Sequence, residues 1–283
     1  MLSINCKGRL ITFDEPRVMG IINFTPDSFY SGSRIQAIDK LLAEAEKMLT
    51  DGTTFIDIGG QSTRPNSERI NSDKELSRVI PAIEAILKRF PEALISIDTY
   101  YAKVAKEAVA AGACIVNDIS AGSMDENLIE TVIELNIPYV LMHMKGTPET
   151  MQQQAMYEDV VLEVFDFLSF KTKELQQKGI KDIIVDVGFG FAKTAEHNFN
   201  LLQSLSYFQH LDVPVLAGLS RKATIYKTLG IDATEALNGT TVLNTIALLN
   251  GASLLRVHDV KEAVQAIKLV TAYKKIRSSY PAS

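Results

Sequence analysis

Little in this sequence ties it to an oxidising compartment, a membrane or a polyanion. Only two cysteines occur in 283 residues, Cys6 and Cys114, far apart and in different kinds of segment. They do not read as a disulfide pair, and reduced thiols in the cytoplasm are the expectation. No Lys/Arg-rich amino end leads into a long apolar segment, so no secretory leader is expected. The longest apolar runs fall far short of the roughly 20 residues that span a bilayer. Lys and Arg total 29 against 34 Asp and Glu, with both signs mixed along the chain. A net charge of −5 therefore excludes the basic footprint of a nucleic-acid binder or of a protein docked on acidic lipid.

Several chemical signatures are missing too. No His/Cys set has zinc spacing. Gly188-Phe-Gly190 lacks the third glycine that would open a helix on a dinucleotide. Ser220 has no glycine-flanked elbow around it. There is no short-period repeat and no low-complexity segment.

What is present is organised around Arg17-Val-Met-Gly-Ile-Ile-Asn23-Phe-Thr25-Pro-Asp27-Ser28-Phe29-Tyr30. Val18–Ile22 is an apolar run that reads as a buried strand. Pro26 cannot donate to a ladder, so the strand stops and delivers Asn23, Thr25, Asp27 and Ser28 into a loop. No core requires such a cluster, and loops of this kind carry function.

The same event recurs seven more times. Apolar runs at 54–58, 93–97, 114–116, 138–142, 182–185, 213–216 and 253–255 end respectively at Gly59, Asp98, Asn117, His143, Asp186, Gly218 and Arg256. Helical periodicity fills each interval, with Asp51-Gly52 closing one helix, Ser72-Asp73-Lys74-Glu75 shaped as a capping box, and Asp125 opening another. Long helices are expected over 157–178 and up to about Arg277, with a frayed tail beyond. Near-continuous apolar strands imply burial on both faces and a parallel sheet. Eight such units predict a (β/α)8 TIM barrel as one domain over 1–283, capped by a β-hairpin at 1–13. A doubly wound open sheet is the competing architecture.

A barrel has one functional mouth, where the C-terminal ends of its strands meet. It would gather Asn23, Thr63, Arg64, Asp98, Asn117, Asp186, Lys222, Arg256 and His258. Arg64, Lys222, Arg256 and His258 form a positive cluster suited to phosphate or diphosphate, unless the arginines are spent on salt bridges at the rim. Asp98, Asn117 and Asp186 either read a planar heterocycle through its N–H donors or pair with Arg221 and Lys222 as a structural network. Asn23 and Asp27 are hard oxygen donors that could hold magnesium with diphosphate oxygens. Lys222 near a strand end also permits Schiff-base chemistry.

Eight motifs then carry a resemblance. Asn23-Phe-Thr-Pro-Asp-Ser-Phe29, Asp57-Ile-Gly-Gly-Gln-Ser-Thr-Arg-Pro65, Ser96-Ile-Asp98-Thr99, Val116-Asn117-Asp118-Ile119, Met142-His-Met-Lys-Gly-Thr-Pro148, Asp186-Val-Gly-Phe-Gly-Phe191, Gly218-Leu-Ser-Arg-Lys222 and Arg256-Val-His-Asp259 together resemble the dihydropteroate synthase family from roughly Val18 to Ile267. The resemblance implies a TIM barrel that condenses 6-hydroxymethyl-7,8-dihydropterin diphosphate with 4-aminobenzoate, uses Mg2+, is the sulfonamide target and forms a homodimer. By motif, Asp98, Asn117, Ile119, Met142, Asp186, Phe191, Gly218 and Lys222 would bind the pterin. Asn23, Thr63, Arg64, Arg256 and His258 would hold diphosphate, with Asn23 and Asp27 at the metal. Phe29, Thr63, Pro65, Ser220 and Lys222 would shape the aminobenzoate pocket. Asp98, Lys222, Arg64 and His258 would act in catalysis.

The chain departs from the family pattern at Tyr30, Gln61, Asn66, Val187 and Ala192. Three other readings compete. A corrinoid-linked methyltransferase would share the pterin reader but lack Ser-Thr-Arg-Pro and Arg-x-His. A non-catalytic paralogue would have lost Asp98, Lys222 or the Arg/His cluster. A Schiff-base aldolase would use Lys222.

Overall fold

The computed structural model describes residues 1–25, 34–61 and 69–279. β1 (Ser3–Cys6) and β2 (Arg9–Thr12) pair as an antiparallel hairpin. Eight parallel strands then close a barrel in chain order: β3 (Arg17–Asn23), β4 (Phe55–Gly59), β5 (Leu94–Asp98), β6 (Ile115–Asp118), β7 (Tyr139–Met142), β8 (Ile183–Asp186), β9 (Val215–Ala217) and β10 (Leu254–Val257). β10 pairs back onto β3, which completes the ring. Among the described residues the helices are α1 (Arg34–Asp51), α2 (Ser72–Arg89), α3 (Ala102–Ala110), α4 (Leu128–Leu135), α5 (Val160–Gln177), α6 (Ala195–Gln203), α7 (Ala223–Leu229), α8 (Leu237–Leu249) and α9 (Val260–Ser279). The barrel is the predicted one, and the open sheet is excluded by the closure.

Strand alternation explains the interior. Met19, Phe55, Leu94, Ile115, Val140, Ile184, Leu216 and Leu254, one from each strand, form a buried apolar floor with Ile4 and Cys6 of the hairpin. Each such side chain contributes about 1.5–3 kcal/mol of burial. The intervening residues, such as Ile56, Ile95, Val116, Leu141, Val185 and Leu255, face outward into the larger core beneath the helices. Two residues above the floor, the inward positions are Ile21, Asp57, Ser96, Asn117, Met142, Asp186, Gly218 and Arg256. Two further on come Asn23, Gly59, Asp98, Ile119 and His258. The strands that make the core therefore also build the mouth, by simple period-two spacing.

Local details differ from the sequence expectation where a neighbouring group captures a free N–H. Asn71, not Ser72, caps α2: it is extended and its side chain accepts from the Lys74 N–H at 2.9 Å. Asp125 does not begin α4. It accepts from Ala102 N–H at 2.8 Å, at the first turn of α3, and α4 starts three residues later. Cys114 lies just before β6, and Cys6 and Cys114 are both buried free thiols. The tail from 280 to 283 lies outside the described residues.

Candidate active site at the barrel mouth

Asp27, Phe29, Thr63, Arg64 and Pro65 lie outside the described residues. The other predicted site residues all fall at or just beyond the C-terminal ends of barrel strands. Asn23 ends β3, Asp98 ends β5, Asn117 and Ile119 lie at the end of β6, and Met142 and Asp186 end β7 and β8. Phe191, Gly218, Ser220 and Lys222 follow β8 and β9, while Arg256 and His258 belong to β10 and its exit.

At the centre, Arg256 is held by two carboxylates. Its Nε donates to Asp57 Oδ2 at 2.7 Å and its Nη2 to Asp98 Oδ2 at 2.6 Å. Asn117 Nδ2 donates to the same Asp57 oxygen at 3.0 Å. Asp57 is fully buried, and its Oδ1 is a buried oxygen without a hydrogen-bond partner among the described residues. For Arg256 the salt-bridge reading is thus realised, and the mouth is not simply a positive cluster. Arg256 still has unused N–H groups, since a guanidinium carries five and these contacts use Nε and Nη2.

Burial raises Asp98 to about 7; Arg256 opposes the shift, and Asp57 and Asp118 reinforce it. Burial also raises Asp186, against the nearby Lys222 ammonium. Asp186 Oδ1 accepts from Gly188 N–H at 2.7 Å. Burial lowers Lys222 to about 8, while Asp186 pulls the other way. The Lys222 ammonium donates to the Phe189 carbonyl and lies 4.9 Å from the Phe191 ring centroid. Arg221 does not join this network. It forms a two-point salt bridge with Asp259, Nη2 to Oδ1 at 2.7 Å and Nε to Oδ2 at 2.9 Å.

On the other side, Ser220 Oγ lies 3.0 Å from His258 Nδ1 and accepts from the His258 N–H at 3.2 Å. Tyr100, Ile119 and Met142 make a buried apolar cluster against Tyr101, Met124, Met144 and Phe191. Its buried residues follow or end β5, β6 and β7, so the cluster brings apolar surface to the mouth. Gln61, at the base of the second loop, donates to Tyr100 Oη at 2.6 Å and accepts from Ile70 N–H at 3.2 Å.

Asn23 and Asp98 flank Gly59: a Cβ on that glycine would meet Asn23 Oδ1 and Asp98 Oδ2, each at 3.6 Å. The missing side chain keeps an oxygen-lined opening there. Among the described residues no group of three His, Cys, Asp or Glu could cage a metal. Asn23 Oδ1 is the hard oxygen donor at this opening that could hold a metal ion, since Asp98 Oδ2 already accepts from Arg256.

Sequence reading gave no role to Asp57, Tyr100 or Lys193. Asp57 was findable, being a carboxylate two residues before Gly59 in an otherwise apolar strand. Tyr100 and Lys193 were not, because nothing local distinguishes them from surface residues.

Comparison with known proteins follows this geometry. A family model described as pterin binding enzyme matches residues 19–258. The dihydropteroate synthase of Haemophilus influenzae is 42% identical over 270 residues, covering 95% of this chain and 98% of that protein. The Yersinia pestis dihydropteroate synthase, solved with a sulfonamide drug, superposes with a TM-score of 0.91 at 36% identity, covering 97% of this chain and 100% of that one. The Xanthomonas albilineans enzyme, solved with 4-aminobenzoic acid, gives 0.89 at 38% identity, covering 96% and 98%.

Proposed function

The chain belongs to the dihydropteroate synthase family of pterin-binding enzymes, and on that premise we propose how its barrel mouth works. The reaction joins 6-hydroxymethyl-7,8-dihydropterin diphosphate to 4-aminobenzoate and releases diphosphate and 7,8-dihydropteroate. The observation that carries the reading is the convergence of Asp98, Asn117, Asp186 and Lys222 beside the apolar cluster of Tyr100, Ile119 and Met142. That is a set of donors and acceptors beside apolar side chains, as a pterin requires. Phe191 and Gly218 would border the same ring.

The chemistry is a dissociative displacement. The C–O bond to diphosphate breaks, and diphosphate leaves with the electron pair. Positive charge spreads into the dihydropterin, where Asp98 offsets it through the ring nitrogens. Arg256 keeps its grip on Asp57 and Asp98 and turns its remaining N–H groups to diphosphate, with Arg64, Thr63 and His258 as further donors. Asn23 and Asp27 would hold Mg2+, which supplies charge neutralisation on the leaving group. The arylamine nitrogen forms the new C–N bond and sheds its proton afterwards, so no strong general base is needed. By motif, Phe29, Thr63, Pro65, Ser220 and Lys222 would shape the aminobenzoate site.

We further propose that the protein works in the cytoplasm as a homodimer of this single domain. No helix among the described residues is long and apolar enough to cross a membrane. Val242, Ile246 and Leu249 on α8 and Leu269, Tyr273 and Ile276 on α9 are exposed apolar side chains on neighbouring helices, a fitting face for a second copy.

A steady-state assay of the purified protein tests the reaction. Dihydropteroate and diphosphate should form one for one, and both should fall sharply with Asp98→Asn or when magnesium is chelated. Tight pterin diphosphate binding with no product would establish a non-catalytic pterin binder instead.

A further inference from the structure

The loop after β8 follows Asp186 and carries Gly188 and Phe191, and one buried lysine on it has no part in the mechanism above. The Lys193 ammonium lies 3.0 Å from His143 Nδ1, 3.0 Å from the Phe191 carbonyl oxygen and 3.4 Å from the His143 carbonyl oxygen. Lys193 is only 5% exposed. Burial lowers Lys193 to about 7, with Asp186 pulling the other way; charged or neutral, its N–H groups donate to the two carbonyl oxygens, and in the charged form His143 Nδ1 is the acceptor. Burial, helped by the charges of Lys193 and Lys145, holds His143 at about 2, which keeps the ring a neutral acceptor. The ring is fixed edge-on against Phe167, with centroids 5.0 Å apart. The His143 N–H in turn donates to the Asp186 carbonyl at 3.0 Å.

These contacts draw the loop onto the end of β7. A Cβ at Gly188 would stand 2.0 Å from the His143 carbonyl oxygen and 3.2 Å from Lys193 Nζ, so only glycine, here at φ +71, permits the approach. A methionine would fill the same space without burying a charge. The Lys193 amino group instead ties together the His143 and Phe191 carbonyls and the His143 ring, which an apolar side chain could not do.

We propose that Lys193 is a positioning residue for the pterin: it clips the loop after β8 onto His143 from behind, and so fixes the Phe191 ring and the Asp186 carboxylate that face the ligand. Lys193 does not touch the pterin. The proposal rests on the pterin reading of this mouth and deepens it.

The test compares Lys193→Met with Lys193→Gln, which keeps an N–H donor. Calorimetric Kd for 6-hydroxymethyl-7,8-dihydropterin diphosphate is measured beside steady-state KM values. In Lys193→Met the pterin Kd and KM should rise about tenfold or more, while the KM for 4-aminobenzoate changes less than about twofold. Lys193→Gln should recover part of the loss, and if the Met variant does not fold, the Gln variant should still show a rise of about threefold. An unchanged pterin Kd in a folded variant, or equal rises in both KM values, overturns the proposal. Calorimetry reads the pterin site without turnover, so a wild-type protein that binds pterin diphosphate but makes no product would sink the synthase reading and still decide the role of Lys193.

Discussion

Arg256 donates through Nη2 to Asp98 Oδ2 at 2.6 Å, and the same guanidinium reaches Asp57 through Nε at 2.7 Å. The residue proposed to stabilise the pterin cation is thus aimed by the residue proposed to hold the leaving group. Asp57 is the anchor of this arrangement, because it also accepts from Asn117. Replacing Asp57 by alanine would leave a buried guanidinium half-paired and an amide without its acceptor. Asp57→Ala should cost about 3 kcal/mol of stability in urea unfolding and should weaken pterin binding about tenfold or more.

Asp98, raised to about 7, is partly protonated in the empty site at neutral pH. The ionised form is the one that pairs with pterin ring N–H donors and a developing cation. kcat/KM for the pterin substrate should therefore fall about tenfold per unit as pH drops below about 7. Asp98→Asn should abolish that limb of the profile as well as most of the rate. Lys222, lowered to about 8, titrates on the alkaline side and should set the opposite limb.

Glu75 on α2 is a second buried carboxyl, raised by burial from its ordinary value to about 8 despite a hydrogen bond with Thr99. The folded state then holds a proton that the unfolded chain has lost between about pH 4.5 and 8. Stability from this group is present below that window and is lost as pH rises through it. Glu75→Gln should raise the melting temperature at pH 8.5 and leave it nearly unchanged at pH 5. A gain of equal size at both pH values would contradict the assignment.

Ala192 occupies a left-handed backbone conformation, φ +50, in the buried loop after β8. A Cβ is strained there by about 1 kcal/mol. Ala192→Gly should stabilise the protein by about that amount in chemical denaturation. The same change would loosen the loop that Lys193 clips, so its pterin KM should not improve.

Much of the fold was legible because barrel strands announce themselves locally. Each is a short apolar run that ends in a residue unfit for a core, and Asn23, Asp98, Asn117, Asp186 and Arg256 were found by that change alone. The hairpin was legible from alternation around Lys7-Gly8. Caps were less so: Asn71 beat Ser72 by backbone conformation, and Asp125 was diverted to a neighbouring helix, choices that depend on which N–H lies close in space.

The sequence by itself determined where strands stop and which residues share a face, since period-two spacing is a property of the extended chain. Only the tertiary structure decided what those faces meet. Closure of β10 onto β3 brings Arg256 against Asp57, 199 positions away, and decides between the two readings left open for Arg256 by making it a bridge between two carboxylates. Lys193 acquires its acceptors in the same way, from a strand end 50 positions earlier. Charge pairing falls off with distance in space, not along the chain, so no local pattern could contain it.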